Sequence, residues 1–312
     1  MKRDSNTYRV GDATITRIDE LTLAAFEFDA LYPGGDPEAL ARHSGRLEAG
    51  SFASKTGTLI QSIHTWLVTT PHHTILIDTA TGNDKVRPDM PVLDRLNEPF
   101  LTRLATAGVA PESVDYVLLT HLHADHVGWN TRLAGGRWVP TFVNATYIFS
   151  GIEQAYGESL ADGADPTGAA RPDPIRLGPA VRRPADGVYD DSVRPVLEAG
   201  LARLVAVDGG EVIEGVSFLP TPGHSIDHAS IRLVSRGEEA LFGGDVMHHP
   251  LQVYEPALTS CFCEFPEAAQ RSRAAILEEA AERGATVFTT HFAQSSAGRI
   301  SRRGDRFSWQ FV

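Results

Sequence analysis

The sequence predicts an α/β fold in which two mixed sheets lie face to face with helices on their outer sides, and three observations carry that expectation. Short apolar, β-branched runs recur in both halves of the 312-residue chain. Helical apolar spacing follows them, at residues 93–107 and again at 266–283. Histidines and aspartates stand just past the ends of several runs, which is where α/β folds place their chemistry. With 42% hydrophobic residues the chain has ample material for a core. The whole of 1–312 is read as a single domain, with an N-terminal excursion at about 21–62 and a surface insertion at about 157–187.

Taken in order, residues 8–18 (YRVGDATITRI) alternate around a Gly-Asp turn and read as an opening hairpin. The stretch 21–62, with Pro33-Gly34-Gly35 and apolar Phe26, Phe28 and Leu31, reads as an irregular excursion around a short helix near 37–43. It either packs on the core or walls a substrate pocket, and its apolar residues make a homodimer a reasonable assembly. Strands follow at 63–69 and 74–78, joined through a solvated Pro71-His72-His73 turn. The helix at 93–107 stops at Gly108, a suitable C-cap. Residues 117–120 form a buried strand and 141–149 another, followed by the Gly/Pro/Asp-rich insertion and a helix at 190–201. Short strands then recur at 204–207, 211–220, 229–234 and 240–244, and the helix at 266–283 feeds a last strand at 286–290.

Charge and composition exclude several partners. A formal net charge of -12, from 28 basic and 40 acidic residues, speaks against binding a phosphate backbone, so no nucleic-acid partner is expected. The one basic concentration, Arg299, Arg302, Arg303 and Arg306, reads as a solvated edge. The N-terminus has no apolar stretch of the signal-peptide kind and no run approaches a membrane span, so a cytoplasmic protein with no membrane partner is expected. Cys261 and Cys263 stand too close for a structural disulfide and read as reduced packing residues, with thiol chemistry or metal binding as lesser alternatives.

The segment Thr120-His121-Leu122-His123-Ala124-Asp125-His126 packs three imidazoles and a carboxylate into a few positions at the end of a strand. A first-row metal takes about four N or O ligands at roughly 2.0 to 2.2 Å. In a tight loop His121 and His123 can face one way and Asp125 and His126 the other, which allows two neighbouring metal positions. Three later residues also close strands: His224 after Thr221-Pro222-Gly223, Asp245 after Gly243-Gly244, and His291 after Thr289-Thr290. The prolines and glycines suit sharp exits and close backbone approach. Asp78 reads either as a partner for a metal-bound imidazole or as a turn cap, and His228 as a support for the ligands rather than one of them.

The combined pattern H-x-H-x-D-H, T-P-G-H, G-D and T-H resembles the metallo-β-lactamase-fold hydrolase superfamily over roughly residues 8–291. The resemblance implies an αββα sandwich and a two-metal centre. By it His121, His123 and His224 hold one ion, Asp125, His126 and His291 the other, and Asp245 bridges. The implied cofactors are two Zn2+ per chain, with Fe, Mn or Co as alternative divalent metals. The commonest zinc β-lactamases carry Cys where this chain has Asp245, and flavodiiron proteins carry Glu at the position of His123, so neither branch is indicated. Together with residues 79–85 (TATGNDK), the pattern looks most like the branch holding N-acyl homoserine lactonases, other small lactonases and methyl-parathion-type phosphotriesterases.

Quorum-quenching lactonases often place a Tyr three residues after the bridging Asp; this chain has His248 there, followed by His249. The expected activity is hydrolysis of a small-molecule lactone or ester by a hydroxide shared between two zinc ions, with a phosphotriester as the alternative substrate. Asp125 is the expected general base. His248 is either a donor to the oxyanion or leaving group, or a histidine that supports the ligands or stands at the rim. Phe26, Phe28, Met247 and Phe292 either line an apolar pocket or fill the core. The rival class is a mononuclear iron, persulfide-dioxygenase-like oxidoreductase.

Overall fold

The computed structural model of the protein describes residues 6–47, 50–163 and 177–312. The chain divides into two compact units. The first comprises Met1–Glu20, Ile63–Pro172 and Arg183–Ala206, the second Leu21–Ser62, Asp173–Arg182 and Val207–Val312. The strands form an 8-stranded sheet, a 7-stranded sheet and a small two-stranded one, in line with the two-sheet α/β expectation.

In the first unit, β1 (Thr7–Val10) pairs antiparallel with the start of β2 (Ala13–Glu27) across Gly11, whose φ of +55° makes the tight turn. β4 (Thr58–Thr69), which follows the short β3 (Phe52–Ala53), pairs antiparallel with β5 (Thr74–Ile77). β5, β6 (Tyr116–Leu118), β9 (Thr146–Ser150) and β10 (Ala202–Val205) then run parallel. Parallel neighbours need crossovers. Helix α3 (Phe100–Thr106) lies between β5 and β6 in the chain, and α5 (Gly151–Ala161) and α6 (Arg194–Glu198) lie between β9 and β10. Ser150 caps α5, its Oγ accepting from the backbone N–H groups of Ile152 and Glu153. Ile75, Leu76, Ile77, Val117, Leu118 and Ile148 are buried, as the apolar runs predict.

In the second unit, the 7-stranded sheet runs in chain order: β11 (Glu211–Ile213), β12 (Val216–Pro220), β13 (Ala229–Ser235), β14 (Glu238–Phe242), β15 (Thr286–Phe288), β16 (Ala297–Arg303) and β17 (Arg306–Phe311). All neighbours are antiparallel except β14 and β15, whose parallel pairing is bridged by α8 (Pro266–Arg283). That helix has the expected bounds, with Pro266 in its first turn and Gly284 in the left-handed conformation just past its end. Leu219, Leu241, Leu277, Val287, Phe292 and Trp309 form one buried cluster of this unit. Phe28, Leu31, Tyr32, Leu59 and Leu251, the last in the short helix α7 (Leu251–Tyr254), form another.

Several expectations are corrected. The helix expected at 93–107 is confined to α3, because Arg95 has φ +48° and Pro99 stands at the N-cap. The excursion at 21–62 begins as strand, since β2 continues to Glu27. It does contain the expected helix, α2 (Glu38–His43), preceded by α1 (Phe28–Leu31). Residues 141–149 are strand only from Thr146, and a hairpin of β7 (Thr131–Ala134) and β8 (Arg137–Pro140) precedes them. The stretch 211–220 is two strands, not one, with Gly215 at φ +73° in the turn. Residues 190–201 begin with a π-helical turn, Tyr189–Val193, before α6. Of the insertion at 157–187, residues 157–161 belong to α5 and 164–176 fall outside the described residues. The hairpin of β16 and β17 was not anticipated, although its four arginines are exposed as expected. Among the described residues no helix is long and apolar enough to cross a membrane.

Candidate metal centre

The first unit gathers His121, His123, Asp125 and His126. β6 ends at Leu118, the chain leaves through Thr120, and the short helix α4 (Ala124–Val127) turns Asp125 and His126 back. The rings of His121 and His123 are 4.5 Å apart between centroids, and those of His121 and His126 4.1 Å. His121 and His126 are buried, while His123 and Asp125 are half-buried. An Asp125 oxygen stands 3.9 Å from Nε2 of His126.

Asp78 resolves in favour of bracing this loop. Its Oδ1 accepts from the backbone N–H of Thr120 at 2.8 Å, and its Oδ2 accepts from Thr120 Oγ1 and from Nδ1 of His126, both at 2.8 Å. A carboxylate only accepts, so His126 carries its proton on Nδ1 and presents a lone pair at Nε2. Thr120 Oγ1 spends its proton on Asp78 and lies 3.0 Å from Nδ1 of His121. It therefore receives the Nδ1–H of His121, so the ring's other nitrogen, Nε2, carries the lone pair.

Glu20 is a support that the sequence reading missed. This buried carboxylate accepts from the backbone N–H of Thr81 at 2.8 Å, that of Gly82 at 3.0 Å, and Nε1 of Trp129 at 2.7 Å. Burial raises its pKa, opposed by those hydrogen bonds. The 79–82 turn in turn receives Gly128, whose N–H donates to Ala80 O at 2.7 Å. A Cβ on Gly128 would fall 1.7 Å from Thr81 O, so only glycine fits there. A lone Glu in a β-strand carries no sequence signal of such a role.

The second unit gathers His224, Asp245, His291 and His248 around one carboxylate oxygen. Oδ2 of Asp245 lies 3.1 Å from Nε2 of His224, 3.1 Å from Nε2 of His291 and 3.3 Å from Nε2 of His248. His224 follows Gly223, whose φ of +130° and 2.0 Å approach of a notional Cβ to Ala269 N leave room for glycine alone, against α8. His291 follows β15, and its Nδ1 lies 2.9 Å from Ser62 O. That carbonyl only accepts, so the proton is on Nδ1 and the Nε2 lone pair faces Asp245. A lone pair and a carboxylate oxygen at 3.1 Å repel unless a cation or a proton lies at both. The donor chemistry therefore fits a divalent metal.

His228 supports rather than ligates, as expected: its Nε2 accepts the backbone N–H of Asp245 at 2.9 Å, while its Nδ1 pairs with Thr221 Oγ1 at 2.9 Å. His248 is fully buried, and burial lowers its pKa against the pull of Asp245. His249 is turned away to Ser51 O at 2.8 Å, and burial pushes its pKa down to about 4. The thiol of Cys263 contacts Nδ1 of His224 at 3.8 Å, and burial pushes its pKa up to about 12. Cys261 and Cys263 are both free, as expected. Phe28, Met247 and Phe292 are core residues, whereas half-buried Phe26 packs edge-on against Phe262.

The profile of the metallo-beta-lactamase superfamily matches residues 61–291, well over half of the chain. A sequence search among curated proteins finds no match. Solved structures share the fold along nearly the whole length. A hydrolase of the beta lactamase superfamily, AbOPH, has a TM-score of 0.75 at 23% identity, covering 98% of this chain and 96% of its own. AidC, a dizinc quorum-quenching lactonase solved with a product N-acyl-L-homoserine, has 0.72 at 17% identity over 98% and 96%. A probable metal-dependent hydrolase from Staphylococcus aureus has 0.70 at 18% identity over 98% and 99%.

Proposed function

The chain belongs to the metallo-β-lactamase superfamily and is a metal-dependent hydrolase, and from that premise we propose that it opens small lactones or cleaves esters at a dinuclear zinc centre. The observation that carries the reading is the carboxylate of Asp245 with three imidazole Nε2 atoms within 3.3 Å of one oxygen. In the proposal His121, His123 and His224 would hold one zinc and Asp125, His126 and His291 the other, with Asp245 available to both, the assignment following the family resemblance.

The chemistry that zinc held by these residues would supply is a water acidified towards a pKa of ~7 and a polarised scissile carbonyl. The chain's own groups do the rest. Asp78 and Thr120 hold the tautomers of His126 and His121, and His228 fixes the backbone of Asp245. Asp125, half-buried, is the group placed to take a proton from the attacking water and pass it to the departing alkoxide. His248 is the second group proposed to belong to the reacting centre, its ring standing beside the carboxylate of Asp245.

The test is elemental analysis of purified protein beside a turnover panel of γ-lactones, δ-lactones, aryl esters and organophosphate triesters. Two zinc per chain with lactone or ester turnover, abolished by a chelator and restored by zinc, is the expected result. Turnover of triesters alone replaces the substrate assignment with phosphotriester. One iron per chain without hydrolysis overturns the reading and moves the protein to the oxidoreductase class.

A further inference from the structure

His248 stands outside the ligand set that the family resemblance implies, yet its geometry is that of a ligand. Its Nε2 lies 3.3 Å from Asp245 Oδ2, beside 3.1 Å for each of His224 and His291. Donor atoms at about 2.1 Å from a shared ion stand roughly 3.0 to 3.4 Å apart. The donor atoms of His224, Asp245 and His248 all lie within 4.8 Å of one another. The imidazole is buried, and neither of its nitrogens makes a hydrogen bond among the described residues. A buried polar ring without partners costs free energy unless something else receives its lone pair.

The ring is also held where it is. The backbone N–H of His248 donates to Gln252 Oε1 at 2.7 Å, and its carbonyl accepts from Gln61 Nε2 at 3.0 Å. The imidazole stacks on His291 with 5.4 Å between centroids and an interplanar angle of 6°, and Phe262 covers it at 5.7 Å. Nothing in that packing leaves Nδ1 a partner, so Nε2 is the atom turned towards the donors. The contact with Asp245, at 3.3 Å, is longer than the usual imidazole to carboxylate hydrogen bond.

We infer that His248 is itself a metal ligand, binding through Nε2 the ion held by His224 and Asp245, so that this centre carries one more protein donor than the family pattern implies. The inference rests on the metal-centre part of the function proposed above and not on the substrate. An additional donor leaves that ion fewer open positions, and makes it the tighter-bound, less substrate-accessible one of the pair.

The test compares metal-loaded wild type with His248→Ala and His248→Gln, reading zinc affinity by competition with a chromophoric chelator and the visible spectrum of the Co2+-loaded proteins. Both variants are expected to bind one equivalent at least about tenfold more weakly, with a changed Co2+ absorption. Unchanged affinity and spectrum overturn the inference, whether turnover falls, as for a donor to substrate, or persists, as for a packing residue. Because a variant can fail to fold, wild type loaded with 113Cd is examined alongside: scalar coupling from cadmium to the ring protons of His248 is expected, and its absence overturns the inference. Metal bound through His248 in a protein that hydrolyses nothing on the panel sinks the hydrolytic reading and leaves this one standing.

Discussion

Oδ2 of Asp78 and Nδ1 of His126 meet at 2.8 Å across 48 residues of chain, both side chains almost wholly out of solvent. The contact decides which nitrogen of His126 carries the proton, and the same carboxylate does so for His121 through Thr120. Asp78→Asn places an amide where only an acceptor is tolerated. It is expected to weaken divalent-metal binding about 10- to 100-fold with the fold retained. Chelator competition checks this, and an affinity within threefold of wild type would falsify the bracing role.

His249 makes the protein sensitive to acid. Burial holds its pKa at about 4, below the ordinary 6.5, so the unfolded chain binds a proton that the folded one refuses. Its contribution is fully present above pH 6.5 and is lost as pH falls towards 4, about 3 kcal/mol in all. Urea unfolding at pH 7 and pH 5 is expected to show a smaller loss in His249→Gln than in wild type. Equal losses would rule the group out as the cause.

Lys85 acts at the other end of the scale. Its ammonium is fully buried, 2.6 Å from Thr131 Oγ1 and 3.0 Å from Asp191 O, with the Trp138 ring centroid at 3.7 Å. Burial lowers its pKa to about 8, only partly offset by Asp191, whose carboxylate also takes both terminal nitrogens of Arg87. The unfolded chain keeps its proton up to about 10.5, so this group makes stability rise with pH between about 8 and 10.5. Thermal unfolding across that window is expected to lose the rise in Lys85→Met, and an unaltered slope would sink the assignment.

Gly128 admits no side chain, because a Cβ would fall 1.7 Å from the Thr81 carbonyl and 2.5 Å from Gly82 N. Those atoms are backbone and cannot turn aside. Gly128→Ala is expected to destabilise by at least about 2 kcal/mol and to loosen the turn that receives the metal loop. Denaturant titration reads the first effect and divalent-metal affinity the second; a stability change below about 0.5 kcal/mol would refute the steric argument.

By itself the sequence determined the elements whose signals are local. The hairpin β1–β2 was legible because alternation and a Gly-Asp turn lie next to each other, and α8 because Pro266 and Gly284 bracket a helical stripe. The candidate donors at 121–126, 224, 245 and 291 stand out because an apolar strand ending in His or Asp is a local event. The β16–β17 hairpin escaped notice because its outward face is arginine-rich, and only the buried Ile300, Phe307 and Trp309 declare the strands. The loop at 93–99 escaped because apolar spacing does not reveal the positive φ of Arg95.

What only the tertiary structure decided were partners far apart in the chain. Asp78 became a brace rather than a turn cap, Glu20 acquired the 79–82 turn, and His291 took its tautomer from Ser62, 229 residues away. It also brought His248 to the same carboxylate oxygen as His224 and His291. Side-chain type and spacing are carried along the chain. Which lone pair faces which proton depends on strand register and burial, and these exist only once non-local pairing has been made.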